Sequence, residues 1–295
     1  MGNHSWVNGV CQMSMVSVII LNRNNAKDVV QLYHELLLQS YQDFNVIVVD
    51  DNSIDSENDI LCSIKDQRLS VYPYPEPWKF GHDNEYMMAL SIAIGNNAKY
   101  IYVLQTDMNI RSIDLLKELV LFMEQNEAYG LIGPTITHNG RISWGPEIKR
   151  DRMGLENIVS ESFMIRSTCV SEMGRINQRL RYFGFEHYLK FWMRDNGYLS
   201  AILGNVEVEH SHGGTSSNYV NYKVYYRPRT TILIMKLFLK NVPMLKKLKY
   251  FDYEMYEIKL LLKQAMKRVK ILNVVKMSVF FLSGLIAGLY IDVDE

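Results

Sequence analysis

"VSVIILNRNNAKDVVQLYHELLLQSYQDFNVIVVDDNSIDS", residues 16 to 56, is the stretch on which the fold turns. Val16 to Leu21 and Phe44 to Val49 are apolar without interruption, and between them Val29, Val30, Leu32, Tyr33, Leu36 and Leu37 recur at helical spacing. A strand without polar alternation is buried on both faces, and a helix joining two such strands makes a parallel βαβ unit. Each strand ends in polar residues, Asn22 to Asn24 after the first and Asp50 to Ser53 after the second.

The pattern continues downstream. Leu69 to Tyr74 predicts a third strand closed by the proline-rich YPYPEP, and Glu85 to Asn96 predicts a helix. Tyr100 to Leu104 predicts a fourth strand ended by QTDMN, and Ser112 to Gln125 an amphipathic helix with Ser112 and Asp114 in its first turn. This β-α-β-β-α-β-α order is a doubly wound sheet, in which ligands sit beyond the carboxyl ends of the strands. The polar clusters at 22–24, 50–53 and 107–109 therefore share one rim.

The 295 residues suffice for one large domain, or for one domain with an extension. Lys plus Arg and Asp plus Glu both total 32, so the overall charge gives no reason to expect nucleic acid. Cys11, Cys62 and Cys169 are too few and too scattered for a disulfide framework or a zinc site. The N-terminus lacks a basic region followed by an apolar run, and Trp6 stands where a myristoylation signal carries Ser or Thr. Cytoplasmic residence is the expectation. From about Tyr222 the chain becomes helical and basic, with eight Lys or Arg between Lys246 and Lys270 against Asp252, Glu254 and Glu257. The apolar run Met277 to Ile291 falls short of the roughly 20 residues a bilayer span needs, so a packed or interfacial helix is expected there.

With these motifs placed, the chain resembles the inverting family 2 glycosyltransferases, in particular rhamnosyltransferase-like enzymes of bacterial surface polysaccharides. VSVIILNRN, LLLQSY and VIVVDDNSID match that family's opening strand, helix end and second strand, and LQTD at 104–107 stands at its D-x-D motif. ESFMIRSTCVSEMG, YFGFEHYLKFWMRDNGY and VEVEHSHGGTSS are similar to its acceptor, catalytic-base and diphosphate segments. Three positions depart from the pattern: Leu21 replaces a proline, Gln105 replaces the first acid of D-x-D, and His187 replaces the Asp of a Glu-Asp pair. The resemblance implies a GT-A fold, a Rossmann-like, mostly parallel central sheet flanked by helices, with a C-terminal helical extension. A catalytic domain over 1–221 is expected, its donor half about 15–110 and its acceptor half about 111–221, followed by an extension over 222–295.

The chemistry distributes over these motifs. Asp50 or Asp51 can accept from a ribose hydroxyl or a base imide, with Asn22 and Asn24 adding polar contacts; otherwise Asp51, Asn52 and Ser53 simply cap the next helix. The resemblance adds Leu21, His82, Asp83, Gln105 and Thr106 to the donor site. Asp107 is the metal candidate because Mg²⁺ and Mn²⁺ favour carboxylate oxygen, with Asn109 and His212 as helpers. A strand-end Asp is otherwise an ordinary turn residue. Only one of His210 and His212 faces the site if that segment is extended, and the resemblance favours His212. Inversion requires a general base, and two readings stand: Glu186 takes the proton beside a contacting His187, or His187 takes it with Glu186 orienting it. Trp144 and the aromatics Tyr182, Phe183 and Phe185 are sugar-stacking or core residues, and Arg227 in YYRPRTTI belongs to a stretch similar to one that follows the donor loop.

The activity expected is transfer of a sugar from a nucleotide diphosphate donor to a glycan acceptor, free or lipid-linked. A polyprenyl-phosphate sugar synthase or an inert nucleotide-binding subunit are the alternatives. A nucleotidyltransferase would carry glycines after its first strand, which LNRNNAKD lacks. The basic C-terminal helices suit an anionic membrane surface at the inner face of the cell membrane, a homo-oligomer contact or a solvated face.

Overall fold

A computed structural model describes residues 14–75, 83–146, 161–174, 180, 184–211, 220–256, 258–260, 263 and 271–290. The opening stretch folds as β1 (Val16–Asn22), α1 (Ala26–Leu37) and β2 (Phe44–Asp50), with β1 and β2 parallel in the register Val16↔Phe44 to Asn22↔Asp50. Then follow α2 (Asp55–Cys62), β3 (Leu69–Pro73), α3 (Asp83–Gly95), β4 (Tyr100–Leu104), β5 (Met108–Ile110) and α4 (Leu115–Gln125). The second half adds β6 (Tyr129–His138), β7 (Arg141–Trp144), β8 (Ser162–Arg166), α5 (Ser167–Met173), α6 (Phe185–Asp195) and β9 (Leu199–His210). The C-terminal part includes, among the described residues, α7 (Val220–Phe238), α8 (Met244–Glu254) and α9 (Ile271–Tyr290).

The strand order is β3-β2-β1-β4-β8-β6-β9-β5, with β7 paired to β6. The expected parallel sheet is the β3-β2-β1-β4 portion; beyond it β8 runs antiparallel to β4 and the sheet becomes mixed. α2 is an addition to the expected order. Its sequence, DSENDILC, gives no repeated apolar face for periodicity to detect.

Uninterrupted apolar strands do cover both faces. Val16, Val18 and Ile20 of β1 pack with α1 and α4, whereas Ile19 packs with α3, α5 and α6 on the opposite side. Leu233 and Ile234 of α7 and Tyr250 of α8 belong to that second core, so these C-terminal helices are built against the central sheet. The proposed boundary at 221/222 falls in the first turn of α7.

α9 lies against α7 through glycines. A Cβ at Gly284 would overlap the Tyr225 carbonyl oxygen, and one at Gly288 would come 3.0 Å from Arg229 Cα. Gly284→Ala therefore forces the two helices apart, and a stability loss of about 1–3 kcal/mol is expected. Gly95→Ala, whose Cβ would meet open space, is the control. Thermal melts of both variants check this: equal melting temperatures would show that α9 is not seated on these glycines.

Candidate active site

The ends of β1 and β2 are tied into one unit. Asp50 is 3% exposed, and its carboxylate accepts from Asn22 Nδ2 at 2.6 Å, Ser53 Oγ at 2.6 Å and the Ser53 backbone N–H at 3.0 Å. Asn24 and Asn52, each one step into the turn, take φ values of 54° and 53°, a left-handed geometry that asparagine tolerates better than most residues. The two loops are then stapled: Asn24 N–H donates to Ser53 Oγ at 2.8 Å, and Ile54 N–H to Asn24 Oδ1 at 2.9 Å. Asp51, also buried, pairs with Arg23 at 3.2 Å. Asp50 thus spends most of its acceptor capacity inside the protein, and the Arg23–Asp51 pair stands next to it at the strand tips. Leu21 is half-buried and packs into the second core.

Asp107 lies just beyond β4. The pairing of β5 with β9, Met108↔His210, carries His210 to it, and His210 Nε2 sits 3.0 Å from Asp107 Oδ2. That bond to Asp107 raises the His210 pKa above its ordinary value. Asp107 Oδ1 is buried without a hydrogen-bond partner. Nearby, Asp28 is held above the usual carboxylate range, first by burial and then by the charges of Asp107 and Glu57. An unsatisfied hard oxygen in negative surroundings fits a divalent cation that takes its remaining ligands from a diphosphate and water. Among the described residues no group of three or more His, Cys, Asp or Glu side chains is spaced to hold a metal by itself. The Asn109 amide oxygen is already engaged, accepting from Gln31 Nε2 at 2.7 Å. Gln105 and Thr106 form the half-buried turn before Asp107, and Gln105 N–H donates to the Glu161 carbonyl at 2.9 Å. His82 and His212 lie outside the described residues, as do Tyr182 and Phe183, while Asp83 opens α3.

Glu186 and His187 open α6, whose start is fixed by Phe185, 2% exposed and stacked on Tyr86 with centroids 4.8 Å apart. Phe185 is therefore a core residue. His187 Nε2 is 3.2 Å from Glu254 Oε2 and 3.9 Å from Glu186 Oε1, and its Nδ1 is 3.4 Å from the Tyr250 hydroxyl. Arg227 Nη2 stands 3.8 Å from the same Glu254 oxygen. Desolvation raises Glu186 to about 7; its own backbone N–H and Arg227 oppose the shift, and the charges of Glu161 and Glu254 add to it. Burial, together with the Lys190 and Arg227 cations, holds His187 well below its ordinary value, so it is neutral. The positive end of the α6 dipole acts in the same direction. Trp144 is half-buried at the end of β7, packed on the first core.

Glu254, Tyr250 and Glu161 were not singled out from sequence. Tyr250 meets His187 across 63 positions of chain, and FDYEMYE reads locally as an ordinary helical segment.

The profile of the family described as "Glycosyl transferase family 2" matches residues 17–180. The chain belongs to this family. Solved structures share its fold. S. aureus TarS (1–349) is 17% identical with a TM-score of 0.63, covering 82% of this chain and 72% of its own. The same protein in complex with UDP-GlcNAc is 16% identical, with a TM-score of 0.62 and the same coverage. The mannosyltransferase PcManGT from Pyrobaculum calidifontis, in complex with GDP-Man and Mn2+, is 12% identical, with a TM-score of 0.61 over 98% of this chain and 91% of its own. The comparison with curated proteins found no match. Membership of this family makes the chain a glycosyltransferase.

The raised Glu186 pKa has a consequence for stability. The folded state holds this proton more tightly than the unfolded chain, so the stabilisation is complete below about pH 4.5 and lost as pH rises through about 7. Glu186→Gln, neutral at every pH, should therefore be more stable than the parent at pH 8 by on the order of 1–3 kcal/mol, with the gap closing toward pH 5. Denaturant melts at the two pH values measure it; an unchanged gap would mean that Glu186 is not desolvated.

Proposed function

We propose that this glycosyltransferase is a metal-dependent inverting enzyme that moves a hexosyl or deoxyhexosyl group from a nucleotide diphosphate to a glycan hydroxyl, in surface-polysaccharide assembly. The observation that carries this reading is the convergence at Glu161. Its charge acts both on His210, the partner of Asp107, and on Glu186. The group read as holding the diphosphate and the group read as accepting the proton are thus both within electrostatic reach of one residue.

In this mechanism the β1 and β2 tips hold the base and ribose through Asp51, Arg23, Asn22 and Asn24, with Gln105 and Thr106 beside them. Asp107 would hold Mn²⁺ or Mg²⁺, with its partner His210 near the diphosphate; when bound, the ion would supply Lewis acidity to the departing diphosphate. Glu186 accepts the proton of the acceptor hydroxyl as its oxygen forms the new bond to the anomeric carbon. The bond to the diphosphate oxygen breaks on the opposite face, and the configuration inverts. A carboxylate with a pKa of about 7 is matched to that task near neutral pH. It also speaks against an inert subunit and against a polyprenyl-phosphate sugar synthase, whose acceptor phosphate needs no such base.

Asp107→Ala should abolish turnover while leaving the melting temperature near that of the parent, since Asp107 lies on the rim rather than in a core. Transfer assays with a panel of nucleotide sugars, with and without Mn²⁺, and calorimetry with UDP, GDP and dTDP test this. Full activity in the variant removes the metal assignment. Failure of the parent to bind any nucleoside diphosphate removes the whole reading.

We further propose that the acceptor is lipid-linked and that the C-terminal helices rest on an anionic membrane surface. Among the described residues no helix is long and apolar enough to cross a membrane. Yet opposite the face that α9 packs on α7, Val275, Val279, Leu282, Ile286 and Leu289 are each more than half exposed. On α8 the exposed Met244, Leu245 and Leu248 alternate with Lys246, Lys247 and Lys249. Apolar stripes flanked by lysines suit insertion at a headgroup boundary. Leu282→Asp combined with Ile286→Asp should reduce co-flotation with phosphatidylglycerol vesicles at least fivefold. Parent protein that ignores vesicles and instead self-associates in sedimentation would assign the stripe to a homo-oligomer.

A further inference from the structure

We propose that Glu254 and Tyr250 of α8 are positioning residues that fix His187 as its neutral Nε2–H tautomer, leaving Glu186 as the group that accepts the proton. This rests on the reading of Glu186 as base given above and adds α8 to the catalytic centre.

Both imidazole nitrogens are directed at α8. Nε2 faces the Glu254 carboxylate at 3.2 Å, and Nδ1 faces the Tyr250 hydroxyl at 3.4 Å. A carboxylate accepts hydrogen bonds and donates none when ionised, so a proton belongs on Nε2; a lone pair there would face an anion. The Tyr250 O–H then donates to the Nδ1 lone pair. An imidazole arranged this way has no free lone pair with which to deprotonate an acceptor. Protonating Nδ1 would reverse the Tyr250 bond, the hydroxyl oxygen then accepting, and place a cation close to Lys190 and Arg227. The two readings left open by the Glu186-His187 sequence are thereby separated, in favour of Glu186.

The cost of the arrangement points the same way. Glu254 is 2% exposed at the end of a helix whose neighbours Phe251 and Met255 pack in an apolar cluster. A buried carboxylate is costly to desolvate even when paired, and well-packed apolar side chains of similar volume are often equally stable there. Glu254 is charge-matched by Arg227 at 3.8 Å and faces the Nε2–H of neutral His187 at 3.2 Å, which ties α6, α7 and α8 into one polar unit. Its negative charge also adds to that of Glu161 in raising Glu186, against the opposing Arg227. Through His187 it sets a tautomer, and through space it sets the proton affinity of the base.

The test uses the full chain labelled with ¹⁵N-histidine. In the parent, His187 should show a protonated Nε2 and an unprotonated Nδ1 from pH 6 to 8. Glu254→Gln keeps an acceptor oxygen but removes the charge, so the acid limb of kcat/KM should move to lower pH by about half to one unit, with the fold unchanged by circular dichroism. Should that variant fail to fold, Tyr250→Phe removes only the hydroxyl that occupies Nδ1, and the imidazolium share of His187 at pH 6 should rise. A parent His187 protonated on Nδ1, or titrating near its ordinary value, overturns the proposal, as does a Gln variant whose acid limb stays in place. The nuclear resonance result decides the tautomer without turnover. The predicted tautomer in a protein that transfers no sugar would sink the enzymatic reading and leave the positioning intact.

Discussion

The hydrogen bonds that Asp50 accepts from Asn22 and Ser53 are the constraint on which the proposed donor side depends. Parallel strands deliver their carboxyl ends to one rim but leave the loops there free to move apart. Burying a carboxylate between two loops removes that freedom, because the charge is stable only while its donors surround it. The left-handed asparagines at 24 and 52 let both loops turn tightly enough to meet. Gln39 plays a related part at the other end of α1, clamping the start of α4 by accepting from Leu116 N–H and donating to the Ser112 carbonyl.

The proposed acceptor side is built on a different principle. Its charged groups, Glu186, His187, Glu254 and Arg227, come from helices and sit where the second core meets the rim. Low local polarity raises the proton affinity of one carboxylate and suppresses that of the imidazole, so adjacent residues take different roles. This is the way paired titratable groups divide acid and base work. The stability given up by burying them is consistent with a functional demand, since an apolar filling would cost less.

The C-terminal helices serve both ends of this design. One side of α7 and α8 completes the second core and carries Arg227, Tyr250 and Glu254 toward α6. The glycines of α9 allow it to lie close on α7, which turns its remaining apolar residues outward. A helix that is apolar nearly all round would be buried on every side in a larger protein. Here its outer stripe is exposed, and it stands beside a lysine-rich helix.

The fold's first half was legible because its signal is local. Strands apolar on both faces, a helix at a 3.6-residue period and polar strand ends are properties of consecutive residues, and they placed β1 to β4, α1, α3 and α4 within a few residues of where they lie. α2 escaped because its apolar positions have no period, and the switch from parallel to mixed sheet escaped because strand direction is set by pairing partners distant in sequence. Asp107 could be picked out from a motif, but that His210 meets it follows from the register of β5 on β9. The identity of the base was undecidable from Glu186 and His187 alone. Composition and periodicity determined a doubly wound sheet with its polar residues on one rim. Only the packing of α8 against α6 shows what stands opposite each nitrogen of His187, and the proposed choice between two adjacent residues rests on that, because a tautomer is set by its partners.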